Sequence, residues 1–252
     1  MAVQDIAVQE KVVRNEAVQA ETALSEYDRW LYRIGGGLGI AGALLGLVGN
    51  LLHPATTTGD IEGTARVIAE SDGWVAVHFT IVVGLILMLG GLAAIYHSIR
   101  GGLPGALMRL GFVAGVVGAT VGLILVIVDG IAAKSLADRW AVAPPDEQSI
   151  ALGMLLTEET INVGLASLFN VLFAGVTFIF YGLAVALSNV YPRWLGWVVM
   201  LAAVIGVVAG GIQAYVGDFT EITRILTIIT PTIITLWLMV MGFLLVRKAA
   251  RE

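Results

Sequence analysis

The chain has 252 residues, of which 58% are hydrophobic and only 13% are charged. Because soluble domains carry about 25% charged residues, this composition excludes an ordinary soluble domain and predicts that lipid is the main solvent. Cysteine is absent, which excludes disulfides, thiolate metal sites and thiol nucleophiles. The net charge of −5 says little about partners, since charge is spread unevenly along the chain.

Residues 1–30 form a polar arm without the apolar region of a secretory signal peptide. Apolar side chains recur in it at intervals of three and four residues, which predicts an amphipathic helix; examples are Val13, Ala17, Ala20 and Leu24. We expect this helical arm on the cytoplasmic side, either at the solvated membrane surface or docked on a protein partner or on the chain's own cytoplasmic face.

Six apolar stretches follow the arm, and each is close to the roughly 20 residues that cross a bilayer as a helix. Aromatic residues such as Trp74 and Tyr191 lie near the ends of these stretches, as interfacial anchors do. The predicted fold is an all-α membrane protein, a six-transmembrane-helix bundle over residues 31–246. The predicted spans are 31–52, 74–98, 109–130, 162–187, 194–216 and 225–246.

The basic residues predict the orientation of the bundle. Ten Lys and Arg residues lie on the side of the chain termini, among them those of the basic tail at 247–252, and four lie on the opposite side. Because basic residues accumulate in cytoplasmic loops, both termini are expected in the cytoplasm and the protein in the plasma membrane. The opposite, outer face is then acidic.

Two segments on the outer face have helical patterns of their own. Residues 60–70 predict a short surface helix that turns Ile61, Ala65 and Ile68 toward the membrane. Pro144-Pro145-Asp146-Glu147 is typical of a helix start, with proline at the first position and acids in the first turn. That helix either continues into the fourth span or breaks near Thr157.

Glycines in three of the spans recur at intervals of three, four or seven residues, such as Gly35, Gly39, Gly42, Gly46 and Gly49 in the first. Such stripes let helix backbones approach closely in lipid. We interpret them as packing surfaces, which would also suit assembly with protein partners. No glycine-rich loop joins a strand to a helix, and we expect no nucleic-acid partner.

Polar side chains near the outer ends of several spans predict a common pocket. Polar groups at membrane depth face the bundle interior and are functional by default. The pocket residues are His53, His78, Asp129, Glu159, Asn162 and Gln213.

Three interpretations of this pocket stay open at the level of sequence. The groups can hydrogen-bond one another and fix the helix ends. They can bind a small molecule, lipid headgroup or pigment through His53, His78, Asn162 and Gln213, for example a haem held axially by the two imidazoles. They can also hold a divalent metal through His53, His78, Asp129 and Glu159. The chain has no H-E-x-x-H spacing.

The third histidine, His97, lies nineteen residues after His78 on the same predicted helix, or roughly 28 Å away at the standard rise. The two cannot share a site. We interpret His97 as an interfacial residue beside Arg100, which argues against a two-haem conduit across the membrane.

The run from Gly49 to Pro54, Gly-Asn-Leu-Leu-His-Pro, followed by Trp74-x-x-x-His78, resembles uncharacterised bacterial multi-pass membrane proteins with a domain of unknown function. The resemblance covers mainly the first two spans. It implies a bacterial polytopic membrane protein and carries over no activity or catalytic residue.

From the sequence we expect a non-enzymatic subunit of a membrane complex, or a protein that binds a small ligand or cofactor at its outer face. A metal- or haem-dependent membrane enzyme is the first alternative and a transporter the second. A transporter would place carboxylates or broken helices near the midplane, where these spans are mostly apolar.

Overall fold

The computed structural model describes residues 24–56 and 59–251, and this part of the chain folds into seven helices. Helices α1 (Glu26–Leu52), α3 (Trp74–Ser98), α4 (Gly102–Val142), α5 (Gln148–Leu187), α6 (Arg193–Val216) and α7 (Glu221–Arg251) are each long and apolar enough to cross a membrane. The short helix α2 (Ile61–Glu70) joins α1 to α3. The expected six-helix polytopic architecture is therefore present. Residues 1–23 of the predicted arm lie outside the described residues, and α1 begins at Glu26, five residues before the predicted span.

The six long helices pack in a closed order. Helix α1 packs against α3 and α7, α4 packs against α3 and α5, and α6 packs against α5 and α7. The Arg33 guanidinium donates a hydrogen bond to the Ala249 carbonyl, so the beginning of α1 lies beside the end of α7. We call this the terminal end of the bundle and the opposite end the distal end.

The main core lies between the long helices and is built around large buried side chains such as Leu92, Phe178, Tyr181, Trp237 and Met241. Many equally apolar side chains point outward and stay exposed, as expected where lipid is the solvent. Apolar side chains are therefore found both in the core and on the surface of this protein.

Helices α4 and α5 are much longer than a membrane requires. They contain 41 and 40 residues, about 60 Å at the standard rise, against roughly 30 Å of hydrocarbon. Helix α5 begins at Gln148, after a turn at 145–147, and runs through Thr157 without a break. Of the two alternatives for this segment, the continuous helix is the one observed.

Each of the two long helices contains a π-helical segment, Val128–Ala133 in α4 and Asn170–Thr177 in α5. A π-helical turn widens the backbone and changes the direction in which the following side chains point, and such turns are frequent at functional sites. Both segments begin at or beside a polar residue, Asp129 in α4 and Asn170 in α5.

A second, smaller core closes the distal end. Ala65 and Ile68 of α2 are fully buried and pack in one cluster with Trp74, Ala137 and Leu155. The expectation that α2 turns this face toward the membrane is wrong. The projecting parts of α4 and α5 provide an apolar surface for α2, and burial there removes its apolar face from both water and lipid.

Helices α1 and α3 approach so closely that their contact depends on glycine. A methyl group added at Gly42 would lie 2.6 Å from the backbone nitrogen of Met88 and 2.7 Å from the carbonyl oxygen of Gly84. These are backbone atoms and cannot rotate away. The separation of α1 and α3, and so the position of His53 at the end of α1, is set by this contact.

We predict that Gly42→Ala lowers the free energy of unfolding by about 1–3 kcal/mol, because overpacking forces the two backbones apart. Gly37→Ala is the matched control: it lies in the same helix and an added methyl group meets nothing within 4 Å. Thermal unfolding of the detergent-solubilised variants measures the difference. Equal unfolding temperatures for the two variants would contradict the prediction.

Candidate polar site at the distal end

Three aromatic rings meet at the distal end of the bundle. His53 directly follows α1, Trp74 is the first residue of α3, and His78 lies one turn further along α3. Each pair of these rings has its centres 4.9 Å apart. Trp74 and His78 are almost fully buried, whereas the His53 side chain keeps 29% of its surface exposed.

Asp129 joins these rings from the π-helical segment of α4. Its carboxylate oxygen Oδ2 lies 3.0 Å from Nε2 of His78 and 3.7 Å from Nε2 of His53. Its backbone carbonyl accepts a hydrogen bond from the Trp74 indole nitrogen at 2.9 Å. The three side chains His53, His78 and Asp129 form what we call the distal cluster, with Trp74 as its support.

The residue after Asp129 makes the approach of α3 and α4 possible. A methyl group added at Gly130 would lie 2.5 Å from Cβ and 2.8 Å from Cγ of His78. A larger residue at position 130 would therefore displace His78 from the carboxylate. In the pair Asp129-Gly130, the aspartate supplies the carboxylate and the glycine leaves the space that the His78 ring occupies.

Both imidazole rings are oriented by backbone carbonyls. Nδ1 of His78 lies 2.6 Å from the carbonyl oxygen of Trp74, and Nδ1 of His53 lies 2.9 Å from that of Pro54. Because a carbonyl oxygen only accepts, each Nδ1 must carry the hydrogen. In the neutral rings both Nε2 atoms then present lone pairs, and both face the Asp129 carboxylate.

This arrangement brings together three electron-pair donors and requires a positive charge among them. An ionised carboxylate only accepts hydrogen bonds, so its contact with an unprotonated Nε2 is unfavourable without a proton or a metal ion. Burial by itself disfavours the charged form of His53, but the nearby carboxylate of Asp129 more than offsets this and raises the pKa of His53 above its ordinary value. The cluster therefore favours either a proton on an imidazole or a bound metal ion.

The potential ligand atoms of the distal cluster all lie within 4.8 Å of one another. Zinc-bound nitrogen and oxygen atoms at bond lengths of 2.0–2.1 Å lie about 3.4 Å apart in a tetrahedral site. Small side-chain movements are thus enough to place one ion among the three ligands. Metal-binding histidines commonly donate their other ring N–H to a carbonyl or carboxylate, as both Nδ1 atoms do here.

Of the four residues predicted as metal ligands, the structure brings His53, His78 and Asp129 together. Glu159 is half-buried and lies outside this group of mutually close ligand atoms, although its carboxylate interacts electrostatically with Asp129, His53 and Asp218. Asn162 on α5 and Gln213 on α6, predicted with the histidines as a cofactor pocket, belong to a second polar region and make no hydrogen bond to His53 or His78 within the described residues.

That second region we call the polar stripe. It consists of Glu158, Asn162 and Asn170 on α5 and Gln213 on α6. All four residues are at least nine-tenths buried. The Asn170 side-chain amide donates a hydrogen bond of 2.8 Å to Oε1 of Gln213, which joins the two helices.

Several atoms of the polar stripe lack a hydrogen-bond partner within residues 24–56 and 59–251. They are both carboxylate oxygens of Glu158, Oδ1 of Asn162 and Nε2 of Gln213. The hydroxyl of Thr230, deeper in the bundle on α7, is also buried without a partner in this part of the chain. Most buried polar groups in proteins are paired, so these atoms are exceptions among the described residues.

Sequence reasoning missed three features of the site. It selected Glu159, although Glu158 is the more buried carboxylate. Glu158 lies four residues before Asn162 and twelve before Asn170, and this spacing would have indicated it. It treated Trp74 only as an interfacial anchor, whereas its indole holds the Asp129 carbonyl. It gave Gly130 no role, and no periodicity in the sequence marks that glycine.

The third histidine belongs to a different cluster at the terminal end. Nε2 of His97 lies 2.8 Å from the Asp28 carboxylate, which also pairs with the Arg100 guanidinium. These contacts connect the beginning of α1 to the end of α3. His97 is therefore far from His53 and His78, as its position in the sequence predicts.

Comparison of the chain with protein-family models, with curated proteins and with solved structures finds no match. The functional argument accordingly rests on the chemistry of the described residues.

We predict that Trp74→Phe lowers the free energy of unfolding by about 1–3 kcal/mol, because the buried carbonyl of Asp129 loses its donor. The control is Trp197→Phe, which removes the same indole N–H from a half-exposed residue of α6. Thermal unfolding in detergent compares the two. A loss of stability in Trp197→Phe as large as in Trp74→Phe would contradict a specific role of the Trp74 hydrogen bond.

Proposed function

We propose that this chain is a multi-pass protein of the bacterial plasma membrane, with its termini in the cytoplasm, that binds one divalent transition-metal ion at its outer face. The ion would be held by Nε2 of His53, Nε2 of His78 and the carboxylate of Asp129. The excess of basic residues on the side of the termini supports the orientation. The convergence of two oriented imidazoles on one carboxylate is the single observation that carries the metal site.

The ligand set favours zinc or a similar borderline ion. Neutral imidazole and carboxylate ligands suit zinc, whereas calcium and magnesium prefer six or more oxygen ligands. Three protein ligands leave a fourth coordination position for water or for another ligand. The Glu159 carboxylate interacts electrostatically with Asp129 and His53, and we propose it as the group that would orient a molecule bound there.

The geometry supports a small ion over a haem. Two imidazoles bound on opposite faces of a haem iron have ring centres about 6 Å apart, with the porphyrin plane between them. The rings of His53 and His78 have centres 4.9 Å apart and touch edge to face. A flat macrocycle would have to separate these rings and displace Asp129 from between their Nε2 atoms.

A bound metal would act first as a structural link. His53 follows α1, His78 belongs to α3 and Asp129 to α4, so one ion would connect three elements at the distal end. This is consistent with the non-enzymatic role favoured by the sequence. An enzymatic role would in addition use the fourth position to activate water, with Glu159 as the nearby base.

We predict that the purified, metal-free protein binds one Zn²⁺ or Co²⁺ per chain and that His78→Ala abolishes this binding. His97→Ala is the matched control, because it removes the only histidine outside the distal cluster. Elemental analysis gives the stoichiometry, and the visible bands of Co²⁺ report its coordination. If no metal binds to the correctly folded protein, the cluster is a buried ion pair and the metal proposal is wrong.

We further predict that metal binding stabilises the native state by about 2.7 kcal/mol at a free metal concentration of 100 times the dissociation constant. Thermal unfolding with and without Zn²⁺ measures this effect. A stabilisation of equal size in Asp129→Ala would show that the ion binds elsewhere.

We also predict that the apparent affinity for the metal falls as the pH falls, because protons compete for the imidazole nitrogens. The pKa of His53 is raised in the metal-free protein, so this competition begins at a higher pH than for an ordinary histidine. Co²⁺ titrations at several pH values test this dependence. An affinity that does not change between pH 8 and pH 6 would contradict histidine ligation.

A further inference from the structure

The terminal end of the bundle contains a cavity of about 290 Å³ between the end of α3 and the beginning of α4. Pockets for small ligands range from about 300 to 1,000 Å³, so this cavity has the size for a small group. It is lined by Tyr96, His97, Ile99, Arg100, Gly101, Gly105 and Arg109. Among these described residues there are two guanidinium groups and no carboxylate, and this favours an anion as the ligand.

The Arg100 guanidinium is held in place by two neighbours. Its Nε donates a hydrogen bond of 3.0 Å to the His97 carbonyl, and its Nη2 pairs with the Asp28 carboxylate. Within residues 24–56 and 59–251 its Nη1 makes no hydrogen bond, and 56% of the side chain is exposed. A guanidinium that is oriented and still has free donors suits the oxygens of a phosphate group. Because Asp28 offsets the charge of Arg100, the net positive charge of the cavity depends on Arg109.

Arg109 lies on the exposed face of α4. It follows the first residue of that helix by seven positions, or about 10 Å at the standard rise. Its side chain is exposed and has no ion pair or hydrogen bond in the part of the chain that the structure describes. The neighbouring side chains on this face are apolar and equally exposed, namely Leu110, Val113, Val116 and Val117. Charged side chains of membrane helices are rarely left facing lipid without a partner, so this position calls for an anion at the level of the lipid headgroups.

The backbone at the beginning of α4 adds to the positive potential of the cavity. Gly101 has a φ of 80°, which glycine adopts readily, and it turns the chain from α3 into α4. A methyl group added at Gly105 would lie 3.2 Å from the carbonyl carbon of Arg100, so this arginine is close to the start of the helix. The first N–H groups of a helix carry partial positive charge, which favours an anion beside Arg100.

The surroundings favour a lipid over a soluble anion. A phospholipid supplies phosphate oxygens for the two guanidinium groups and acyl chains for an apolar surface beside them. The exposed apolar face of α4 continues from Arg109 through Val113 and Val116 and provides that surface. A zwitterionic headgroup would bring an ammonium group close to two arginines, with no carboxylate among the described lining residues to pair with it.

We propose that this cavity binds the phosphate of an anionic phospholipid, such as phosphatidylglycerol, through Arg100 and Arg109. The acyl chains then lie on the exposed apolar face of α4. Basic pockets between membrane helices bind anionic headgroups in this way. The site is at the opposite end of the bundle from the distal cluster and does not depend on the proposed metal.

Binding of defined lipids to the delipidated full chain tests this proposal. Native mass spectrometry of the detergent-solubilised protein gives the dissociation constant of the first phosphatidylglycerol that binds. We expect Arg109→Gln to raise this constant about tenfold, because a charge-assisted contact with the phosphate is lost.

Arg193→Gln is the matched control. It removes an exposed arginine at the same end of the bundle that lies outside the cavity and donates a hydrogen bond to Asn189. This variant should bind phosphatidylglycerol as the unaltered chain does. If the two substitutions have equal effects, Arg109 only extends to the membrane surface and the proposal is wrong.

The role of the headgroup is tested with phosphatidylcholine that has the same acyl chains. The unaltered chain should bind phosphatidylglycerol about tenfold more tightly. Equal dissociation constants for the two lipids would overturn the proposal. This comparison needs no substitution, so it stays decisive if Arg109→Gln does not fold, as judged by gel filtration.

Inorganic phosphate separates a lipid site from a site for a soluble anion. At the same concentration as the lipid it should leave phosphatidylglycerol bound, because it lacks the acyl chains that contact α4. Displacement of the lipid under these conditions would overturn the lipid proposal in favour of a soluble anion. The variant His78→Ala, which removes a ligand of the proposed metal, should keep its affinity for phosphatidylglycerol.

Discussion

The backbone contact between α1 and α3 is the constraint on which the distal end depends. At Gly42 the two helices are so close that no side chain fits between them, and this spacing carries His53 to the edge of His78. In lipid, apolar side chains gain little from contacting one another instead of acyl chains. Close backbone packing and buried hydrogen bonds therefore stabilise the association of the helices, as apolar burial does in a soluble protein.

Glycines also allow close helix contacts beside the buried polar groups. Gly130 lets α4 approach His78, and Gly210 lets α6 approach Ser167. In both places a glycine stands near polar side chains that would be costly to bury alone. The distal cluster resolves its excess of lone pairs if a proton or a metal ion binds.

The sequence predicted much of the architecture but only part of the site. The six long apolar stretches predicted the number of spanning helices. The pair His53-Pro54, which ends α1, predicted that His53 lies at the same end of the bundle as His78. The face of α2 was assigned wrongly, since its partner surface comes from residues 133–155, far away in the chain. The choice between Glu158 and Glu159 depends on how α5 rotates against its neighbours, which local periodicity leaves open by one residue.

By itself, therefore, the sequence determined the solvent, the number of membrane helices and the end of the bundle at which two histidines lie, because each follows from composition and from lengths along a helix. Only the tertiary structure decided that Asp129 lies beside both histidines and that a carbonyl accepts from each Nδ1. It also decided that the carboxylate of Glu158 and Oδ1 of Asn162 find no partner among the described residues. These features depend on the π-helical segments and on contacts between helices distant in sequence, and such contacts leave no periodic signal in any one of them.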